Sequence, residues 1–352
     1  MTQTLAPEPD VPRGTCQSDS NSTTLFRFHS SIPLLKSCLW EYSGFLTESA
    51  STRVLAIANQ KGGVAKTTTA INLATALALD GYQVLLVDCD PQGNASSGLG
   101  IAKSQVPLST YDVLLGEATI EEAIQPTQVE NLKVVPSTNH LIGANIELVG
   151  AEKREFRLKN ALEAVRGKFE FVVLDCPPAL DLLTLNALVA TQHLIVPMQA
   201  EYFALEGISE LMNTVERVRA AFNPELTLAG VVLTMYDERT NLAQQVTDNL
   251  RGYFGEKLMK ASIPRNVRLA EAPSHGLPVA LYDPASRGAE AYRALGLEVL
   301  HRMGLESRRP VVEPAAAEAD GSGGDGGSEV KPQRNDNKGH RKVPRTVRIR
   351  FR

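Results

Sequence analysis

The sequence predicts a doubly wound α/β fold, with a mainly parallel sheet and helices on both of its faces. Three observations carry this. Apolar runs and amphipathic stretches alternate from residue 53 to about 304 of the 352-residue chain. The runs are nearly continuous rather than alternating, as strands covered on both faces require. A glycine-rich turn joins the first run directly to a helical stretch. In order, the strands are VLAIAN, QVLLVD, LKVVPS, FEFVVLD, QHLIVPM and LTLAGVVLTM. Between them, TTTAINLATALAL, EFRLKNALEAVRG, DLLTLNALVAT, LEGISELMNTVERVRAAF and NLAQQVTDNLRGYF place apolar residues at helical spacing. A last helix is expected at about 286–303. Right-handed crossovers then put ligands at the carboxyl ends of the strands.

Composition bounds the rest. A hydrophobic fraction of 43% supports a sizeable core, and a net charge of −4 gives no bulk attraction to nucleic acid, so any such contact needs a local basic patch. Residues 1–52 are expected to be a poorly ordered extension, 53–304 a single domain, and 305–352 a disordered tail. From residue 331 onward that tail carries nine Lys or Arg against one Asp. Cys16, Cys38, Cys89 and Cys176 lack C-x-x-C spacing, which suggests a reducing compartment and no zinc site. The start lacks a signal-peptide pattern and no apolar run approaches ~18 residues, so a cytoplasmic protein without membrane attachment is expected.

The strongest chemical signal is Asn59-Gln-Lys-Gly-Gly-Val-Ala-Lys-Thr-Thr68, after a strand and before a helix. Small residues there let backbone N–H groups converge on an anion, and the helix N-terminus adds its positive dipole end. Lys66 would reach the β- and γ-phosphates of a nucleotide, and Thr67 would offer its hydroxyl to magnesium. Asp88-Cys-Asp-Pro-Gln-Gly-Asn94 and Asp175-Cys-Pro-Pro178 each follow an apolar strand, so both bring carboxylates beside that loop. A single Asp after a strand is usually a turn or cap residue; three in this order point to a phosphate site.

The loop departs from the ordinary phosphate-loop pattern at Gln60 and instead carries Lys61 before Gly62-Gly63. In this it resembles the deviant Walker A loop, K-G-G-x-G-K-[ST]-[ST], of the ParA, Soj and MinD superfamily. LTMYDERTN (233–241), IPRNVRLAEAPSHG (263–276), TNHLIGANIELVG and YDPASRGAEAYRALG extend the likeness to the chromosomal ParA/Soj branch, over residues 53 to about 303. The resemblance implies an ATPase with ATP and Mg²⁺ as cofactors. It places Lys61, Gly62, Gly63, Val64, Ala65, Lys66, Thr67 and Thr68 on the phosphates, and Met235 and Pro264 at the rest of the nucleotide. It gives catalytic roles to Lys61, which reaches a partner's phosphates in an ATP-sandwich homodimer, to Lys66, and to Asp90, which orients the attacking water. Thr67, Asp88 and Asp175 fall to the metal. It further implies nonspecific double-stranded DNA binding through Arg239 and Arg268, with Lys257 and Lys260 as neighbours, and a ParB-type protein that stimulates hydrolysis. A nucleoid-associated position follows. Alternatives are a MinD-like membrane-recruited regulator of division, a ParA-like positioner of another cargo, and an iron–sulfur carrier of the same superfamily. Ala65 stands where the motif has glycine. With a right-handed backbone its methyl is harmless, whereas a positive φ would cost about 1 kcal/mol or more; retained ATP binding is expected.

Overall fold

The computed structural model describes residues 52–201 and 204–309. The expectations for residues 1–51 and 310–352, including Cys16, Cys38 and the basic tail, lie outside the described residues. Eight strands form one sheet in the order β3-β4-β2-β5-β1-β6-β7-β8. They are β1 (Arg53–Ile57), β2 (Val84–Asp88), β3 (Gln125–Pro126), β4 (Leu132–Val135), β5 (Phe171–Asp175), β6 (His193–Gln199), β7 (Thr227–Tyr236) and β8 (Leu258–Pro264). All neighbours pair in parallel except β3 with β4. The three central strands β2, β5 and β1 are almost wholly buried, as their unbroken apolar runs require.

The helices are α1 (Lys66–Leu79), α2 (Asn94–Gly98), α3 (Thr110–Leu115), α4 (Ile120–Ala123), α5 (Leu141–Glu147), α6 (Arg157–Leu162), α7 (Leu182–Ala190), α8 (Ala204–Ala221), α9 (Asn241–Phe254), α10 (Val267–Glu271), α11 (Val279–Tyr282) and α12 (Arg287–Arg302). The pleat sends Val54 and Ala56 into one core with α3 to α9, and Leu55 and Ile57 into a second core with α1, α2, α11 and α12. Within the second core α1 is covered by α12. Gly296 lets the two approach, since a Cβ there would stand 3.0 Å from that of Ala76, and the buried hydroxyls of Thr69 and Tyr292 meet at 3.1 Å. Ser286 caps α12 through the Ala289 N–H, so the expected terminal helix is present and spends its apolar face on the core. No described helix is long and apolar enough to cross a membrane.

Two boundaries differ from expectation. The domain does not stop at residue 304: Tyr82 donates to the Glu306 carbonyl, Ser307 to Asp80, and Arg308 pairs with Glu170 while lying 3.8 Å from the Tyr82 ring centre. Those residues read as tail because their partners are more than a hundred positions away. The edge strand β8 was also missed, because LMKASIP exposes Lys260 and is only partly covered, so it lacks the continuous apolar run of its neighbours.

Candidate functional site

The turn between β1 and α1 is fixed from four sides. Asn59 donates to the Pro197 carbonyl and accepts from the Lys61 N–H, at 2.8 and 3.0 Å. Gln199 donates to the Gly63 carbonyl at 3.0 Å, the buried Thr234 hydroxyl to the Val64 carbonyl at 3.1 Å, and Lys66 Nζ to the Lys61 carbonyl at 3.0 Å. The concave side is open: a Cβ on Gly62 or Gly63 would meet nothing within 4 Å. Helix α1 has no side-chain cap and no acidic residue in its first turn, so its N-terminal N–H groups and dipole stay available to an anion. Ala65 is the N-cap and is left-handed, with φ 63° and ψ 35°. The harmless right-handed alternative is thereby excluded.

Three ionisable groups converge behind this loop. Asp88 and Asp175 are in register on β2 and β5, both fully buried. Neither oxygen of Asp175 has a hydrogen-bond partner of acceptable geometry among the described residues. Burial, and then the neighbouring Asp88, push its carboxyl well up; the Thr67 hydroxyl and the Lys66 ammonium temper this. Burial likewise raises Asp88 to about 6, against opposing hydrogen bonds from Ser96 and Asp90. Lys66 is lowered by burial, with Asp175, Cys176 and Asp90 acting against the shift. A pair of orphaned carboxylate oxygens beside a hydroxyl is the donor set a hard cation wants, so Thr67 and Asp175 fit Mg²⁺. Asp88 fits less well than the resemblance implied. Its Oδ2 accepts from the Ser96 N–H and hydroxyl, at 2.8 and 2.6 Å, and its Oδ1 from the Asp90 N–H at 3.2 Å. Asp90 itself is 7% exposed and receives the Gln92 N–H at 2.9 Å.

Around this centre the predicted residues divide. Met235 and Pro264 end β7 and β8, and Tyr236 pairs with Pro264. Met235 is left-handed at φ 50°, and its sulfur receives a hydrogen bond from Gln199. Lys61 is half exposed and forms an ion pair with Glu201, itself 55% exposed. Arg239 is 84% exposed and bidentate to Asp237, which it holds down at about 2. Arg268 pairs with Glu271 and Asp283. Both arginines lie at the carboxyl edge of the sheet, and Arg239 borders a hollow of about 440 Å³ shared with Arg265 and Arg287. Lys257 and Lys260 do not join them. They sit just before and near the start of β8, about 13 to 23 Å along the strand from Pro264 at ~3.3 Å per residue. Gln199, Thr234, Ser96 and Glu201 were not anticipated; the legible signal for the first two was a polar residue closing an apolar strand.

A glycine-rich loop with a buried lysine, backed by carboxylates at strand ends of a doubly wound sheet, defines a phosphate-loop nucleotide hydrolase of the two-lysine class. A family model described as an AAA domain matches residues 52–228. The chain is 55% identical over 247 residues to the sporulation initiation inhibitor protein Soj of Bacillus subtilis, covering 70% of this chain and 98% of Soj. It is 54% identical over 252 residues to the chromosome partitioning protein ParA of Caulobacter vibrioides, covering 71% and 94%. Among solved structures, a cobyrinic acid a,c-diamide synthase from Mycobacterium smegmatis with bound ADP and magnesium is similar at TM-score 0.65 and 36% identity, covering 74% of this chain and all of that one. The septum site-determining protein MinD of Pyrococcus horikoshii, complexed with Mg-ADP, follows at TM-score 0.58 and 29% identity, covering 70% and 96%. The chain belongs to the Soj/ParA family of chromosome-partitioning ATPases.

Proposed function

We propose that the protein is an ATP-driven DNA-binding switch: ATP closes a homodimer, the dimer holds double-stranded DNA without sequence preference, and hydrolysis stimulated by a ParB-type partner releases it. The observation that carries the nucleotide half is the pair of orphaned Asp175 oxygens beside Thr67 and Lys66 at an open phosphate loop. ATP and Mg²⁺ are the cofactors. Thr67 and Asp175 would hold the metal, which when bound offsets charge on the transferring phosphoryl group. Lys66 binds the β- and γ-phosphates, and Asp90 orients water for in-line attack. Lys61 must leave Glu201 to reach a partner's nucleotide. The dimer is supported by apolar surface on the loop's edge of the sheet, where Ile142 and Ile146 on α5 and Leu180 after β5 are 58%, 73% and 39% exposed. The DNA half rests on Arg239 and Arg268, which share that edge and whose partners are exposed carboxylates that a phosphate can replace. A nucleoid-associated, cytoplasmic location follows from this reading. The membrane alternative is disfavoured, because α12 buries Tyr292, Leu295 and Val299 in the core rather than offering them to lipid.

The test is DNA binding by the full chain with ATP, with ADP and without nucleotide, at low and moderate salt. ATP-dependent binding that weakens with salt and is lost in Arg239→Ala/Arg268→Ala is the expected result. Absence of DNA binding in every state would overturn the switch while leaving the ATPase in place.

A further inference from the structure

We propose that Ser96 is a positioning residue for ATP hydrolysis, acting through Asp88 to fix the turn that carries Asp90. The inference rests on the reading of Asp90 as the water-orienting carboxylate. Ser96 lies in the first turn of α2, is fully buried, and commits both its N–H and its hydroxyl to this task. Its N–H and its hydroxyl both donate to Asp88 Oδ2, while its oxygen accepts the Ser137 N–H at 2.9 Å. A hydroxyl has one proton to give, so the Ser137 donor and the Asp88 acceptor together leave Ser96 a single orientation.

Asp88 passes that constraint on. Its other oxygen receives the Asp90 N–H, and its carbonyl receives the Thr110 hydroxyl at 2.7 Å. The seven residues from Asp88 to Asn94 have no slack. Asp90 is tied to Gln92 and Gly93 by hydrogen bonds of 2.9 and 2.8 Å. Gly93 is left-handed at φ 58°, and a Cβ on it would stand 2.7 Å from the Ser137 carbonyl oxygen. Ser137 therefore closes the turn from outside and Ser96 closes it from beneath. Without the Ser96 hydroxyl, Asp88 loses its shortest hydrogen bond and keeps only the backbone N–H groups of Ser96 and Asp90, so the acceptor that anchors the Asp90 N–H is held less firmly. Displacements of about 1 Å in a reacting group are enough to lower a rate by roughly 100-fold. The hydrogen bonds that hold the phosphate loop come from Asn59, Gln199 and Thr234 instead, although the Asp90 charge is felt at Lys66. The rate should thus respond separately from nucleotide affinity.

The experiment measures kcat, KM for ATP, and ATP-dependent dimer formation by light scattering for the full-length wild type, Ser96→Ala, Ser96→Cys and Ser96→Thr. Expected is a fall in kcat of roughly 10- to 100-fold in Ser96→Ala with KM and dimer formation within about twofold of wild type. Ser96→Cys, which keeps the volume but offers only a weak S–H donor, should lose most of the same rate. Ser96→Thr, which restores the hydroxyl, should recover it. Wild-type kcat in both Ser96→Ala and Ser96→Cys would overturn the proposal. So would parallel loss of nucleotide binding and rate in Ser96→Cys, since that marks a merely structural residue. Asp90→Ala separates the two layers of argument: if it hydrolyses ATP normally, the reading of Asp90 fails; if it is inactive while Ser96→Ala is not, only the present inference fails.

Discussion

The two ends of the sheet are built on opposite principles. At the amino end two arginines near the strands are fully engaged. Arg302 donates to Glu298 and to the carbonyls of Ala229, Glu256 and Leu258, and Arg308 joins Glu170 to the Tyr82 ring. At the carboxyl end neither oxygen of the buried Asp175 has a well-formed hydrogen bond among the described residues, Asp88 and Lys66 are shifted against their charged forms, and two non-glycine residues, Ala65 and Met235, are left-handed. Engaged arginines mark one end, and unsatisfied capacity, which a ligand would relieve, marks the other.

The contrast breaks most visibly under a pair of substitutions. Lys66→Ala should weaken ATP binding by about two orders of magnitude, the worth of charge-assisted contacts to phosphate, as measured by nucleotide titration. Arg302→Ala should leave ATP affinity unchanged and cost about 2–3 kcal/mol in urea unfolding, since it strands three carbonyls and a carboxylate. Equal effects of both changes on affinity would erase the division.

A pH series sharpens it. Asp88 at about 6, and Asp175, pushed well above the ordinary carboxylate range by burial and by Asp88, hold protons in the folded state that the unfolded chain releases near pH 4. The folded state then binds more protons than the unfolded one, so stability falls as pH rises from about 4 through 6, and goes on falling until Asp175 has also lost its proton. The nucleotide-free protein should unfold at lower urea at pH 7.5 than at pH 5. Asp175→Asn, or saturating Mg·ATP, should flatten that slope. An unchanged slope in Asp175→Asn would place the burden elsewhere.

The same division explains what the sequence made legible. The central strands and α1 were readable because full burial demands unbroken apolar runs, and the loop was readable because phosphate chemistry restricts its residue types. The capping Ser286 and the helix it starts were equally local signals. By contrast, Arg308 on Glu170, Gln199 on Gly63 and Ser96 on Asp88 depend on which strands become neighbours, and no local pattern encodes that. Lys257 and Lys260 joined the DNA group through the family resemblance, and strand direction sets them apart from Arg268. Asp88 looked like a metal ligand by position, and its engagement by Ser96 was invisible without the turn.

Ala65 offers a smaller effect of defined sign. Glycine removes a left-handed penalty of about 1–2 kcal/mol and adds back about 0.4–1 kcal/mol of unfolded-state entropy. Ala65→Gly should therefore stabilise the protein by about 0.5–1 kcal/mol, a rise of roughly 2 °C in melting temperature for a domain of this size. A loss of stability would mean that the alanine methyl has a packing role the backbone angles conceal.

The smallest effect on stability belongs to Glu201, and it bears on function alone. An ion pair with side chains 44% and 55% exposed contributes little to folding, because water screens it and two long chains must be ordered. Yet in the proposed ATP dimer Lys61 would have to serve a second subunit, which it cannot do while held by Glu201, so on that reading the pair opposes dimer formation by whatever it is worth. Glu201→Gln should leave the urea midpoint unchanged and lower the ATP concentration for half-maximal dimer formation by about two- to threefold, the ratio a few tenths of a kcal/mol produces. If the ATP requirement instead rises, Glu201 assists the closed state, and the carboxyl edge holds a contact made for the dimer rather than one that must be broken to reach it.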